Sequence, residues 1–316
     1  MGYEIPYNFL EALMENYIEL EQLLFGSCPA LELRHDEMLS DHTSFRIGGP
    51  APLMAFPRTM EEVGACVRSA WGLGVRMEVI GKGTNFLAAD AGVNAFFLNT
   101  GLLTQMELSG NQSITVQGGA PLSRVALFAA QNSLTGLEFA HGIPGSLGGA
   151  VAMNAGAYDG EMAAVTVTTD YLTQAGEHHS VSGKAHEFGY RRSVFTDKRR
   201  IIISSVLQLK PGQEQVIRAR MSELAARRKQ SQPLEYPSAG SMFKRPPGQY
   251  AGTLIDQCGL KGRAVGGAQV SEKHAGFIVN CGGATCADVL ELVRQVKSTV
   301  QEKTGVALEM EVKVIR

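Results

Sequence analysis

Residues 136–156, GLEFAHGIPGSLGGAVAMNAG, restrict the possible folds of this chain more than any other stretch. Six of the 21 residues are glycine, and only Glu138 and His141 can carry a charge. Glycine reaches positive φ and lets two backbones, or a backbone and a ligand, approach closely, at an entropic cost when the chain is ordered. A flexible linker would be rich in Ser and Pro and poor in large apolar residues. Here Leu137, Phe139, Ile143, Leu147, Val151 and Met153 interrupt the glycines, so the segment is expected to be packed. Two readings follow. Either its backbone N–H groups cradle a phosphate-bearing ligand, or it is a tight core crossover where backbones touch.

A chain of 316 residues buries a substantial core and has room for two or three domains. Its 44% apolar and 19% charged residues are those of a globular protein. A net charge of −2 gives no electrostatic case for nucleic acid or membrane binding. The five cysteines are odd in number and irregularly spaced, which argues against a disulfide framework. Cys281 and Cys286 lack the second half of a zinc site and are expected as buried free thiols, so no metal is expected. Glu4 and the absence of a long apolar run argue against a secretory signal or a membrane span. A cytoplasmic location is expected.

Along the chain, residues 8–25 place Leu10, Leu13, Met14, Ile18, Leu20 and Leu24 near helical spacing. Thr43, Ser44 and Phe45 suit a strand ended by Gly48-Gly49-Pro50. Thr59 with Glu62 reads as a capping box for a helix that stops at Gly72 or Gly74. The strand 77–80 leads into Gly81-Lys82-Gly83-Thr84-Asn85, a phosphate-loop type of arrangement that lacks Rossmann or Walker spacing. A tight turn explains that loop equally well. Strands are expected at 94–99 and 113–117, and a helix with Pro121 at its first position. Strand-rich sequence follows from 164 to 209. Beyond a change of composition at 210–212 come a helix at 213–229 with Val216, Ile217, Met221 and Leu224 on its apolar stripe, a turn-rich stretch at 233–241, a short helix at 251–259 and a strand at 275–279. Thr285 and Asp288 then box a helix closed by Gly305. A last alternating strand, 306–315, is expected to place Glu309, Glu311 and Lys313 on one face. The mixed order reads as α+β.

Polar residues stand out in three places. Arg191, in Tyr190-Arg191-Arg192-Ser193, suits an anionic substrate or a developing enolate; a surface basic pair explains it as well. Ser241 follows a small-residue turn and has no neighbouring His to make it a nucleophile, so a proton donor is its better catalytic role; a plain turn serine fits too. Glu309 or Glu311 is either a buried acid or an ordinary strand-face charge.

Taken together, these blocks resemble the UDP-N-acetylenolpyruvoylglucosamine reductase family. The resemblance runs from about 39 to 315. It rests on HTSFRIGGPA (42–51), GKGTNFL (81–87), GIPGSLGGAVAMNAGAY (142–158), YRRSVF (190–195), AGSMFKRP (239–246), AGTLIDQCGLKG (251–262), VSEKHAGFIVN (270–280) and LEMEVKVI (308–315), in family order.

The resemblance implies an α+β fold. It has a helical extension at 1–35, a two-part FAD-binding region of the vanillyl-alcohol-oxidase/PCMH type at 36–208, split near 103, and a smaller substrate domain at 209–316. It implies FAD and NADPH as cofactors, no membrane insertion, and a monomer. Gly81, Lys82, Gly83, Thr84 and Asn85, with Gly142, Ile143, Pro144, Gly145, Ser146, Gly148 and Gly149, would hold the cofactor pyrophosphate. Asn154 and Gly156 would approach the flavin. NADPH would reduce FAD and leave before the enolpyruvyl sugar binds in the same place. Hydride would then pass from flavin N5 to C3 of the substrate and a proton from Ser241 to C2, giving UDP-N-acetylmuramate for peptidoglycan. Arg191 and Glu311 would stabilise the enolate between these steps. Tyr190, Lys229, Gly240 and Arg245 would contact the substrate.

The chain departs from the family at Lys82 and Thr84, where Gly and Ser are usual, and at Arg245, where some members have Asn. The short span from Tyr190 to Ser241 leaves no room for an extra Tyr-bearing loop, which implies the compact subtype. Two alternatives remain open at this point: another flavin oxidase or dehydrogenase of the same fold, and a flavin- or nucleotide-binding protein without turnover.

Overall fold

The computed structural model describes residues 7–196 and 200–316, with the side chains of the first helix described from Glu15 onward. The chain forms two compact units. One comprises residues 1–37, 52–81 and 94–221; the other comprises 38–51, 82–93 and 222–316. The expected boundaries at 35 and 208 are sequential cuts, whereas these units are discontinuous: 38–51 and 82–93 fold with the C-terminal part.

The first unit has two sheets. A four-stranded sheet runs in the order Glu32–Met38, Pro50–Phe56, Phe96–Asn99, Met77–Ile80, and its last three strands are parallel. Parallel neighbours need a crossover, and the Met60–Gly72 helix supplies one. Thr59 caps that helix by accepting the Glu62 N–H. The expected box is not closed, because the Glu62 carboxylate takes the Arg58 N–H, one residue before the cap. The helix ends at Gly72, and Gly74 follows at φ 63°.

The second sheet is antiparallel, in the order His178–Ser182, Thr166–Leu172, Ile201–Gln208, Ser113–Gln117, Met106–Leu108. Ile114 and Val116 alternate inward along their strand, as a period of two requires. They join Val125, Leu137, Phe139, Leu147, Val151 and Leu207 in one core. The glycine run is therefore part of the core packing. Pro121 sits at the cap, one position before the helix Leu122–Gln131, in an extended conformation.

In the first helix, Tyr7–Ser27, Leu20 and Leu24 are fully buried. Ile18, expected on the same stripe, is 55% exposed, because it is two residues from Leu20 and lies off its face. Leu10, Leu13 and Met14 lie outside the described side chains. Val216 is likewise exposed, since only Ile217, Met221 and Leu224 keep the i, i+4, i+7 spacing of one helix face.

The second unit holds a three-stranded antiparallel sheet, Ala264–Val265, Ala268–Val270 and Ile278–Asn280, against the helix Cys286–Thr304. Thr285 and Asp288 form the expected capping box, and Gly305 closes the helix at φ 73°. Asp90 adds a second cap, its carboxylate accepting the N–H groups of Cys286 (2.7 Å) and Ala287 (3.1 Å). The final strand is shorter than expected. Only Lys313–Ile315 pairs, in parallel with Phe86–Ala88, because residues 306–312 find no continuous partner beyond the bridge from Met310 to Phe243. Two further expectations fail. Thr43–Phe45 is a turn following the Leu39–His42 helical turn, with Arg46 at φ 55°. Cys281 is exposed; Cys286 is buried, and burial pushes its thiol up to about 11.

Among the described residues no helix is long and apolar enough to cross a membrane, and no cluster of His, Cys, Asp or Glu is arranged to hold a metal ion.

Candidate functional site

In the first unit the glycines answer the question the sequence left open. A Cβ on Gly119 would lie 1.8 Å from the Thr100 carbonyl oxygen, and one on Gly118 would lie 2.5 Å from that of Ile202. Gly148 N–H donates to the Gly118 carbonyl at 2.7 Å, and a Cβ there would stand 3.1 Å from the same oxygen. Backbone touches backbone, so the close-packed crossover is real.

The run nevertheless leaves polar groups unsatisfied. Ser146 is 4% exposed, yet neither its N–H nor its hydroxyl has a hydrogen-bond partner among the described residues. A Cβ on Gly81 would come within 2.3 Å of the Ser146 hydroxyl oxygen, so only glycine leaves this oxygen accessible from that side. His141 Nδ1 is buried without a partner, and burial holds this imidazole below its ordinary range, in the neutral form. Unpaired N–H and O–H donors beside glycines suit an anionic oxygen, so these residues fit a phosphate-bearing cofactor. Gly142, Ile143 and Gly145 are half-buried and Pro144 and Gly149 exposed.

Asn154 and Gly156, expected beside the flavin, are each tied into the protein's own backbone. Asn154 is 2% exposed at φ 44°, and both ends of its amide are used inside the protein. Gly156 opens a tight hairpin whose turn residues, Tyr158 and Asp159, both have positive φ. A Cβ on it would meet the Gly160 carbonyl at 2.7 Å.

Tyr190 and Arg191 form the tip of a hairpin in which Gly189 and Arg192 exchange backbone hydrogen bonds. Tyr190 is 55% exposed; Arg191 is half-buried at φ 55°, with its guanidinium 5.4 Å from the Tyr190 ring centre. Behind them Ser193 Oγ donates to the Ala152 carbonyl, the C-terminal end of the short helix Leu147–Ala152. His186 is fully buried below the hairpin. Its Nδ1 bonds the Gly183 carbonyl, so Nδ1 is the donor and Nε2 accepts from Thr169 Oγ1 at 2.9 Å. Burial keeps this imidazole neutral as well.

In the second unit, residues 241–244 lie between two neighbours. On one side Met242 N–H donates to the Gly276 carbonyl and Ser241 bridges Phe277. On the other, Glu311 N–H donates to the Met242 carbonyl at 2.9 Å, and Lys244 N–H to that of Glu309. Ser241 and Glu311 thus sit on adjacent, directly bonded segments. The half-buried Ser241 hydroxyl has no partner among the described residues. Glu311 is half-buried, whereas the Glu309 side chain is 71% exposed and paired with Lys244. Gly240, at φ 77°, makes the turn into this segment. The structure thereby separates the two acids between which spacing alone did not choose.

The loop at 82–85 supports the same region. Gly83 packs on the His42 carbonyl, where a Cβ would lie 1.9 Å away. Asn85 Nδ2 donates to the Glu311 carbonyl, and Lys313 N–H to the Asn85 carbonyl. Lys82 is exposed and Thr84 half-buried. Lys229 is exposed on the helix Glu214–Ser231, and its carbonyl accepts from Lys273 Nζ. Arg245 is exposed with its guanidinium 4.3 Å from the Tyr250 ring centre. Arg191 belongs to the other unit from Ser241 and Glu311.

The sequence reading missed the supporting polar residues Ser193, His186 and Asp90. Ser193 had a signal, a lone hydroxyl between Arg192 and the apolar Val194 and Phe195; Asp90 had none, because its partners are almost 200 residues away.

The comparisons agree with this arrangement. Residues 51–182 match the FAD binding domain model, and residues 232–315 match that of the UDP-N-acetylenolpyruvoylglucosamine reductase C-terminal domain. The UDP-N-acetylenolpyruvoylglucosamine reductase of Pediococcus pentosaceus is 42% identical over 94% of this chain and 98% of its own length. That of Geobacillus kaustophilus is 42% identical over 96% and 99%. The crystal structure of UDP-N-acetylenolpyruvylglucosamine reductase (MurB) from Thermus caldophilus superposes with a TM-score of 0.77, at 38% identity, over 90% of this chain and 99% of that one. With its FAD binding domain and its reductase C-terminal domain matched in order, and with this identity sustained from end to end, the chain belongs to the UDP-N-acetylenolpyruvoylglucosamine reductase family.

Proposed function

We propose that this chain reduces UDP-N-acetylenolpyruvoylglucosamine to UDP-N-acetylmuramate for peptidoglycan precursor synthesis, using FAD as cofactor and NADPH as reductant, as a cytoplasmic monomer. The observation that carries this reading is the 42% identity to a reductase over 94% of the chain. FAD, when bound, supplies the hydride for C3 of the enolpyruvyl group.

The chain's own residues do the rest. Gly81, Gly83, Gly145 and Ser146 offer donors and close backbone approach to the cofactor's phosphates. Ser241 gives its proton to C2. Its hydroxyl suits that role because nothing in its own unit competes for it. Arg191 and Glu311 stabilise the negative charge that develops on the substrate: a fixed cation and a positioned carboxyl group need little reorganisation as the charge appears. Tyr190, Lys229, Gly240 and Arg245 hold the nucleotide sugar.

The deciding experiment is NADPH oxidation by the flavin-loaded protein, with and without UDP-N-acetylenolpyruvoylglucosamine. Oxidation that depends strictly on the enolpyruvyl sugar is expected. Flavin-loaded protein that ignores this substrate would overturn the reading in favour of another flavin oxidoreductase of the same fold.

A further inference from the structure

The Tyr190–Arg191 hairpin is fastened at three points, all within the first unit, and two of them lie on the glycine run. At its base, Val194 N–H donates to the His186 carbonyl at 2.8 Å. On its flank, Ser193 Oγ and Thr196 Oγ1 both donate to the Ala152 carbonyl, at 2.8 and 3.0 Å. At its neck, Asn154 Nδ2 donates to the Gly189 carbonyl at 3.2 Å. That same carbonyl accepts the Arg192 N–H that closes the hairpin. Asn154 Oδ1 accepts the Ala163 N–H at 2.8 Å, so one amide joins three segments of chain.

We infer that Asn154 is a positioning residue: it locks the hairpin bearing Tyr190 and Arg191 to the glycine run, and acts on the reaction only through Arg191. The chemistry of the site selects asparagine. Its backbone stands at φ 44°, in the left-handed region where only glycine, asparagine and aspartate are at ease. Glycine would supply the conformation without either bond, and ionised aspartate an acceptor without the donor that reaches the Gly189 carbonyl. A buried amide with both ends satisfied fixes one geometry, because every alternative leaves a polar group unpaired. Arg191 is itself at φ 55°, so the hairpin tip holds a conformation that a loose loop would abandon.

This role rests on the reductase reading, so its test has an arm that does not. Asn154→Gly and Asn154→Asp are prepared in the full chain and digested with trypsin under native conditions. Cleavage after Arg191 and Arg192 is expected to rise about tenfold in both, as a local opening event becomes more frequent, while cleavage after the exposed Arg227 stays at the wild-type rate. Unchanged cleavage at the hairpin, or equal acceleration at all sites, would overturn the lock.

The second arm is turnover of the enolpyruvyl sugar. A loss of about tenfold in kcat is expected, of the size that misplacement of a catalytic group produces. The same substitution should cost nothing further in an Arg191→Ala background. Losses that multiply in the double variant would show that Asn154 does not act through Arg191. Wild-type protein without turnover would sink the reductase reading, while the trypsin arm would still decide whether Asn154 locks the hairpin.

Discussion

The glycine run and the Ser241 segment are built on opposite principles. In the run, identity is dictated by what the backbone touches. At Gly118, Gly119 and Gly148 an added Cβ would meet carbonyl oxygens at 2.5, 1.8 and 3.1 Å. At Ser241, backbone bridges on both sides fix the chain, and the hydroxyl makes no hydrogen bond of its own among the described residues. One region spends its sequence on packing and leaves a few donors over. The other spends its backbone on packing and keeps a side chain free. The difference teaches where to look for chemistry: a glycine here reports a close approach, and a free hydroxyl on a braced segment reports a task.

Substitutions can break that contrast. The largest effect is expected at Ser241→Ala, which should leave stability and flavin reduction by NADPH nearly intact while slowing reduction of the enolpyruvyl sugar by roughly 10²–10⁴-fold. Stopped-flow absorbance separates the two halves, and equal loss in both would remove the proton-donor role. Arg191→Ala should cost about 10²–10³ in kcat, in the same half only. Gly119→Ala belongs to the other side of the comparison. It should lower unfolding free energy by at least ~1–3 kcal/mol, since overpacking against a fixed carbonyl has no cheap relaxation. A urea midpoint equal to wild type would show that the crossover tolerates side chains after all.

Asp90→Ala should cost about 1 kcal/mol, the usual scale of a lost helix cap, with catalysis unaffected. Denaturant titration and steady-state kinetics on one preparation check both parts. The smallest effect is on pH. His141, His186 and His274 are all held neutral by burial. Below about 6.5 the unfolded chain takes up protons that these sites refuse, so stability should fall as pH falls from there. Each histidine contributes at most about 1.4 kcal/mol per pH unit. The urea midpoint should be lower at pH about 5.5 than at about 7.5, and the slope shallower in His186→Gln. A flat profile would mean that the imidazoles charge inside the fold without penalty.

What was legible in the sequence was local. Thr285, Asp288 and Gly305 announce both ends of their helix, because caps involve neighbours three or four residues away. The strands Met77–Ile80 and Ser113–Gln117 were expected with the bounds they have. The site residues came from a family resemblance; residue chemistry alone left Arg191, Ser241 and Glu311 balanced against ordinary roles. The turn at Thr43–Phe45 was read as a strand, since β-favouring residues there serve tertiary contacts. Phe45 is buried in the second core, and Asn280 Nδ2 donates to its carbonyl from 235 residues away. The final strand was overextended because alternation continues through 306–314 whereas pairing does not.

The discontinuity of the second unit sets the order in which this protein is completed during synthesis. Phe45, Ile47 and Leu87 belong to its core, and the strand Phe86–Ala88 is the partner of Lys313–Ile315. The contact from Asn85 to Glu311 spans 226 residues. At about 5–20 residues per second, the early segments wait roughly 10–45 s on the ribosome for the strand that covers them. A fragment confined to residues 232–315 would emerge without part of its own core and with its last strand unpaired. It should therefore be recovered as an aggregating or proteolysed species unless the segments 38–51 and 82–93 are supplied with it.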